Sequence, residues 1–114
     1  MAHGHAAALT LGQFLHFNRH ATEQDVVDHR GVKHVHDVID QIASRFRCRD
    51  SRQALRAIES CTASLGCATR LQELGIRTKD QRELIAQSVN RQRLANNPRA
   101  VSTRDLHAIL DAIA

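Results

Sequence analysis

The side chains best able to hold a metal or move a proton near neutral pH are the histidines, and this chain of 114 residues carries eight. His16 and His20 stand four apart, a spacing that puts both imidazoles on one side of a helix, as a two-histidine metal site requires. Position 20 falls at or past the end expected for that helix, and no Asp, Glu or Cys is placed to complete a coordination shell. The pair therefore reads as part of a polar, exposed face. His34 and His36 are two apart and diverge on a helix; they read as solvated, or as neighbours of Asp37 and Asp40. His107, between Leu106 and Ile109, reads as a residue flanking the core. His3 and His5 open the chain in MAHGHAAALTLGQFLHFN. Gly4 permits close backbone approach, and a histidine just ahead of a helix projects from a firm base, so His3 is the candidate metal ligand. One imidazole does not make a catalytic metal centre, which needs about three protein ligands and an open position. Cys48, Cys61 and Cys67 are odd in number and contain no Cys-x-x-Cys pair, so they read as reduced thiols of a cytoplasmic protein.

The elements that position these residues are helical throughout, because no stretch alternates long enough for a strand. A first helix is expected from Ala6 to about Phe17. A looser segment follows to Arg30, with Thr22 capping a turn ahead of Val26 and Val27. The second helix runs from Gly31 to about Arg47, and Val35, Val38, Ile39, Ile42 and Phe46 form its apolar stripe. Asp50 with Gln53, and Thr78 with Gln81, have capping-box spacing for two more helices, and Gly66 and Gly75 supply left-handed stops. Pro98 breaks the segment RLANNPRAVS. Ser102 then starts a last helix through Leu106, Ile109, Leu110 and Ile113. The expected fold is all-α, an antiparallel bundle of about five helices in one domain spanning 1–114.

A net charge of +4 comes from 16 Lys and Arg against 12 Asp and Glu. Only Arg45, Arg47, Arg49, Arg52 and Arg56 are close enough to make a patch, and an acid interrupts them. With Phe14, Phe17 and Phe46 the only aromatics, there is little to stack on bases, so a nucleic-acid partner is not expected. The opening apolar run is too short and polar to span a bilayer. No strand–turn–helix with glycine spacing offers a phosphate cradle, so neither catalytic nor cofactor-binding residues are assigned.

Two stretches carry a family resemblance. HGHAAALTLGQFLHFN at 3–18 resembles the His-Gly-x-Ala-x-Ala-x-x-Leu segment that opens a long helix in the C-terminal domain of iron-containing (group III) alcohol dehydrogenases. Residues 71–113 are similar to that family's closing pattern: a Leu-x-x-Leu-Gly-Ile turn, a helix, Asn-Pro-Arg, and a last helix that begins at Ser or Thr. The ALTLGQFLHFN wording is also similar to a branch acting on phosphonate aldehydes. Residues 19–68 are generic helix.

The resemblance implies a helical domain that, with an N-terminal domain binding NAD or NADP, encloses a divalent metal, iron or zinc, held by one aspartate and three histidines. His3 matches the last of those histidines, although Ala2 replaces the usual proline before it, and His5 falls at a variable position without a role. The remaining ligands are then expected upstream of residue 1. The chain by itself is expected to hold no cofactor and to transfer no hydride. Its expected partners are the missing N-terminal dehydrogenase half, or a second copy joined through an apolar face on the first helix around Leu9, Leu11, Phe14 and Leu15. The alternative from another class is a small helical homo-oligomeric interaction module without catalysis.

Overall fold

A computed structural model describes the backbone of residues 3–114 and the side chains of residues 7–114. The chain folds into α1 (His3–Arg19), α2 (Val32–Arg45), α3 (Ser51–Ser64), a 3-10 turn (Leu71–Leu74), α4 (Lys79–Gln87), α5 (Arg91–Leu94) and α6 (Thr103–Ala112). The all-α expectation holds. The count rises to six because α5, a single turn, forms inside the segment expected to be only a break. The one extended pairing among the described residues is an isolated antiparallel bridge between Val26 and Arg99. No helix among them is long and apolar enough to cross a membrane.

The capping residues start and stop most helices as their chemistry requires. Thr78 and Gln81 form a complete capping box on α4, and Ser102 does the same on α6 with Asp105 as its reciprocal partner. Asp50 accepts from the Gln53 amide at 2.9 Å, but the Gln53 side chain reaches one residue further back, to the Arg49 amide at 2.7 Å. Gly66 and Gly75 take left-handed φ values of 76° and 83° at the two expected stops. The first helix is longer than expected at both ends, since His3 already has helical backbone and Arg19 closes the last turn.

Helix α1 is the shared wall of two apolar clusters. Leu9 and Phe14 pack on Leu71, Ala86, Leu106, Leu110 and Ile113, while Leu15 packs on Ala21, Val35 and Ile39. At Gly12 the helix lies against α3: a Cβ there would sit 3.3 Å from Leu55 backbone and side-chain atoms, so glycine sets how closely the two helices approach. Of the apolar face expected on α1, only Leu11 stays at the surface, because the other three side chains are taken up by these clusters. On α2 the expected stripe is corrected in the opposite sense. Val35 and Ile39 are buried with Ala43, but Val38, Ile42 and Phe46 remain exposed. Five apolar positions wrap further round the helix than the neighbouring elements can cover.

A polar clamp joins the ends of the chain. Asn18 and Asn97 exchange side-chain amide hydrogen bonds of 3.0 and 2.7 Å across a separation of 79 residues. The Arg99 guanidinium donates to Asp25 at 3.0 Å and to the Phe17 carbonyl at 2.8 Å, and it lies 4.2 Å from the centre of the Phe17 ring. The backbone continues the junction: the Val27 amide donates to the Pro98 carbonyl at 2.7 Å, and the Ala100 amide to the Asp25 carbonyl at 2.8 Å. Arg99 thereby supplies a cation and a donor to the carbonyl end of α1, where the helix dipole favours positive charge.

Replacing Arg99 with alanine removes two charge-assisted hydrogen bonds and a cation–π contact at a partly buried site. A loss of about 2 kcal/mol is expected, read as a fall of roughly 8 °C in thermal midpoint. Lysine, lacking the planar fork, is expected to restore less than half. The Thr22 amide, followed by Arg99, holds the Asp25 carboxyl below its ordinary value of 3.8. Its contribution is therefore fully present above that pH and is lost as pH falls through the lower folded value. Urea midpoints measured from pH 5 down to about 2.5 should drop more steeply in the parent than in Arg99→Ala.

Candidate functional site

Helix α1 carries the candidate ligand at one end and a polar cleft at the other. His3 opens the helix, but its side chain and that of His5 lie outside the described residues. The cleft, of about 530 Å3, is formed where the C-terminal end of α1 meets Asp40 of α2 and the N-terminal turn of α3.

His16 is the best-defined side chain in it. Its Nδ1 lies 2.8 Å from Ser51 Oγ, and an Arg52 guanidinium nitrogen lies 3.4 Å from its Nε2. A guanidinium can only donate, so Nε2 accepts, Nδ1 carries the hydrogen, and Ser51 Oγ receives it. This is the reverse of the arrangement in which an imidazole takes a proton from a serine. Ser51 is also buried, so the pair positions α3 rather than forming a nucleophile. Burial pushes the His16 pKa below its ordinary 6.5, helped by the neighbouring His20 and Arg52 and opposed by Asp50.

His20, one residue past α1, donates from Nδ1 to the His16 carbonyl at 2.9 Å, and the two rings meet edge to face at 4.6 Å. The spacing therefore does bring both imidazoles to one side. Two carboxylates that sequence proximity could not reveal are brought in as well, Asp40 from α2 and Asp50 from the start of α3. Both are engaged, Asp40 by Arg19 at 2.8 and 3.3 Å and Asp50 as the cap of α3. Among the described residues, no group of three or more His, Cys, Asp or Glu could hold a metal ion. The described residues by themselves therefore do not fit a metal centre.

The other histidines have structural placements. His36 is half-buried and donates from Nε2 to the Ala21 carbonyl at 2.9 Å, which pins the turn after α1 to α2. Asp37 is paired with Lys33, which with the nearby His34 and His36 holds its carboxyl below the ordinary value, so the expected neighbourhood with Asp37 holds, while Asp40 is taken by Arg19. His107 flanks the core as expected. Its Nε2 is buried without a protein partner beside a space of about 20 Å3 bounded by Lys79, Arg82, Glu83 and Asp111, room for one water. Cys48, Cys61 and Cys67 are all free thiols.

Because His16 binds its proton less tightly folded than unfolded, its contribution to stability is complete above pH 6.5. It is lost as pH falls toward the lower folded value. An NMR titration of the ring resonances should place His16 below the ordinary histidine value of 6.5. The urea midpoint should fall between about pH 7 and 5.5, and His16→Asn should flatten that fall.

Residues 1–114 match the model of the Fe-containing alcohol dehydrogenase family, C-terminal. The chain is also similar to a phosphonoacetaldehyde reductase of Streptomyces viridochromogenes, with 35% identity over 111 residues, covering 96% of this chain and 27% of the length of that relative. No solved structure matches. The end-to-end family match agrees with the all-helical fold and with the clamp that joins the two motif-bearing segments. The chain belongs to the iron-containing alcohol dehydrogenase family and forms its C-terminal, helical portion.

Proposed function

We propose that this chain is the helical part of an NAD(P)-dependent, iron-containing aldehyde reductase in which His3 gives one imidazole to the metal. The observation that carries this reading is the family match over residues 1–114, and the reductase that is 35% identical makes phosphonoacetaldehyde the first substrate to try. His3 belongs to the first turn of α1, a helix held at its far end by Arg99 and against α3 at Gly12. The remaining ligands and the nucleotide cradle are assigned to residues outside 1–114. A glycine-spaced phosphate loop is absent from this sequence, and the described residues assemble no metal shell of their own. The natural partner is accordingly a nucleotide-binding portion. A second copy seated on α1 is the weaker reading, since it would rest on Leu11.

The 114-residue chain alone is expected to show no nicotinamide-dependent reduction of phosphonoacetaldehyde or acetaldehyde, with or without added ferrous iron. Polypeptide carrying these residues together with the nucleotide-binding portion is expected to reduce the phosphonate aldehyde and to copurify with metal. In that protein, His3→Ala should lower both metal content and kcat/KM by more than about 100-fold, beyond the usual cost of losing a group that merely supports a ligand. Full metal content in His3→Ala would remove the assigned role, and aldehyde reduction by the isolated chain would remove the division of labour.

A further inference from the structure

We propose that the outer face of α2 is a docking surface for a helix whose apolar stripe is flanked by acidic residues. Val38, Ile42 and Phe46 stand four apart and form one ridge, with 37%, 37% and 56% of their surfaces exposed. Beside the ridge runs a groove of about 500 Å3, floored by Leu15 and Ile39 and closed on the far side by Val27 and Pro98. Val27 is itself 51% exposed. A row of side chains at intervals of four with a groove alongside is the surface into which another helix packs. The clamp between Arg99 and Asp25 and the bond from Val27 to Pro98 hold the far wall of this groove in place.

Charge selects the occupant. Arg45 and Arg47, at the C-terminal end of the ridge, are exposed and make no ion pair among the described residues, and Arg49 approaches Asp50 only to 3.8 Å. The Asp28–Arg30 ion pair, His29 and His34 border the other end of the groove. The acids around the ridge are already committed: Asp28 to Arg30, Asp37 to Lys33 and Asp40 to Arg19. A second copy of α2, laid antiparallel about a two-fold axis, would bring the Arg45 and Arg47 end of one chain onto the end of the other where Arg30 already holds Asp28. The arginines would gain no free carboxylate there, because Asp28, Asp37 and Asp40 of the second copy are paired in the same way. A helix with leucine-type residues on one face and Glu or Asp at its borders brings unpaired carboxylates to Arg45 and Arg47, and the arginines and Phe46 are side-chain types enriched at such interfaces.

The test uses the whole 114-residue chain and two labelled synthetic helices of about 18 residues with the same leucine stripe, one bordered by Glu and the other by Lys. Fluorescence anisotropy is expected to show micromolar binding of the Glu peptide. Affinity should weaken at least about 10-fold when salt is raised from about 50 to about 300 mM. Ile42→Glu should weaken it by at least about 10-fold, and so should the pair Arg45→Glu and Arg47→Glu, with helical circular dichroism unchanged in each. Light scattering should report a monomer. Binding of neither peptide, equal binding of the Lys peptide, or indifference to Ile42→Glu would overturn the proposal. A dimer that Ile42→Glu dissociates would overturn it in favour of a second copy.

Discussion

The contact on which the rest of this structure depends is the one between Arg99 and the end of α1. A helix terminus leaves carbonyls without partners, and the Arg99 guanidinium meets the Phe17 carbonyl with a donor, a positive charge and a cation–π contact on the same residue's ring. The same side chain reaches Asp25, so the turn after α1 is tied to the segment that leads into α6. Asn97 and Asn18 satisfy each other's amides beside it. These bonds span 74 to 82 residues. They add a polar joint to the apolar one that Leu9 and Phe14 make between the N-terminal group of three helices and the C-terminal group.

This clamp also gives a physical meaning to two sequence motifs. The stretch ending in Asn18 and the Asn97-Pro98-Arg99 triplet were legible as family-like wording, but nothing in either shows that they meet. Each residue of the triplet contributes a different group, an amide for Asn18, a carbonyl for the Val27 and Asp28 amides, and a guanidinium for Asp25 and Phe17. Pro98, read from sequence only as a helix breaker, sits in a bend and turns its carbonyl to the Val27 and Asp28 amides.

Local chemistry was the readable part of the fold. Asp50, Thr78 and Ser102 cap helices, and Gly66 and Gly75 end them, because each effect acts within a few residues. Burial was less readable. Periodicity marks Val38, Ile42 and Phe46 as apolar in the same way as Val35 and Ile39, yet cannot tell which edge of α2 its neighbours will cover. The site shows the same limit. The spacing of His16 and His20 correctly brings their rings together, but Asp40, Ser51 and Arg52 join them through tertiary packing alone. Those arrivals reverse the chemistry, since Arg52 forces His16 into the tautomer that serves Ser51 as a donor, and Arg19 occupies Asp40. A histidine pair with metal-like spacing thus becomes a hinge of hydrogen bonds between α1 and α3.

The candidate ligand His3 stands at the opposite end of the same helix. Over 17 residues α1 extends about 25 Å, so His3 and the clamp sit at its two extremes. Along its length the helix is gripped by Phe14 in one apolar cluster, by Leu15 in the other, and by α3 at the position of Gly12. A rod held firmly at the middle and one end carries its other end with it. The packing of this domain therefore sets the backbone position from which His3 starts. What packing and the partly buried ionic clamp supply here is a fixed position for the start of the helix.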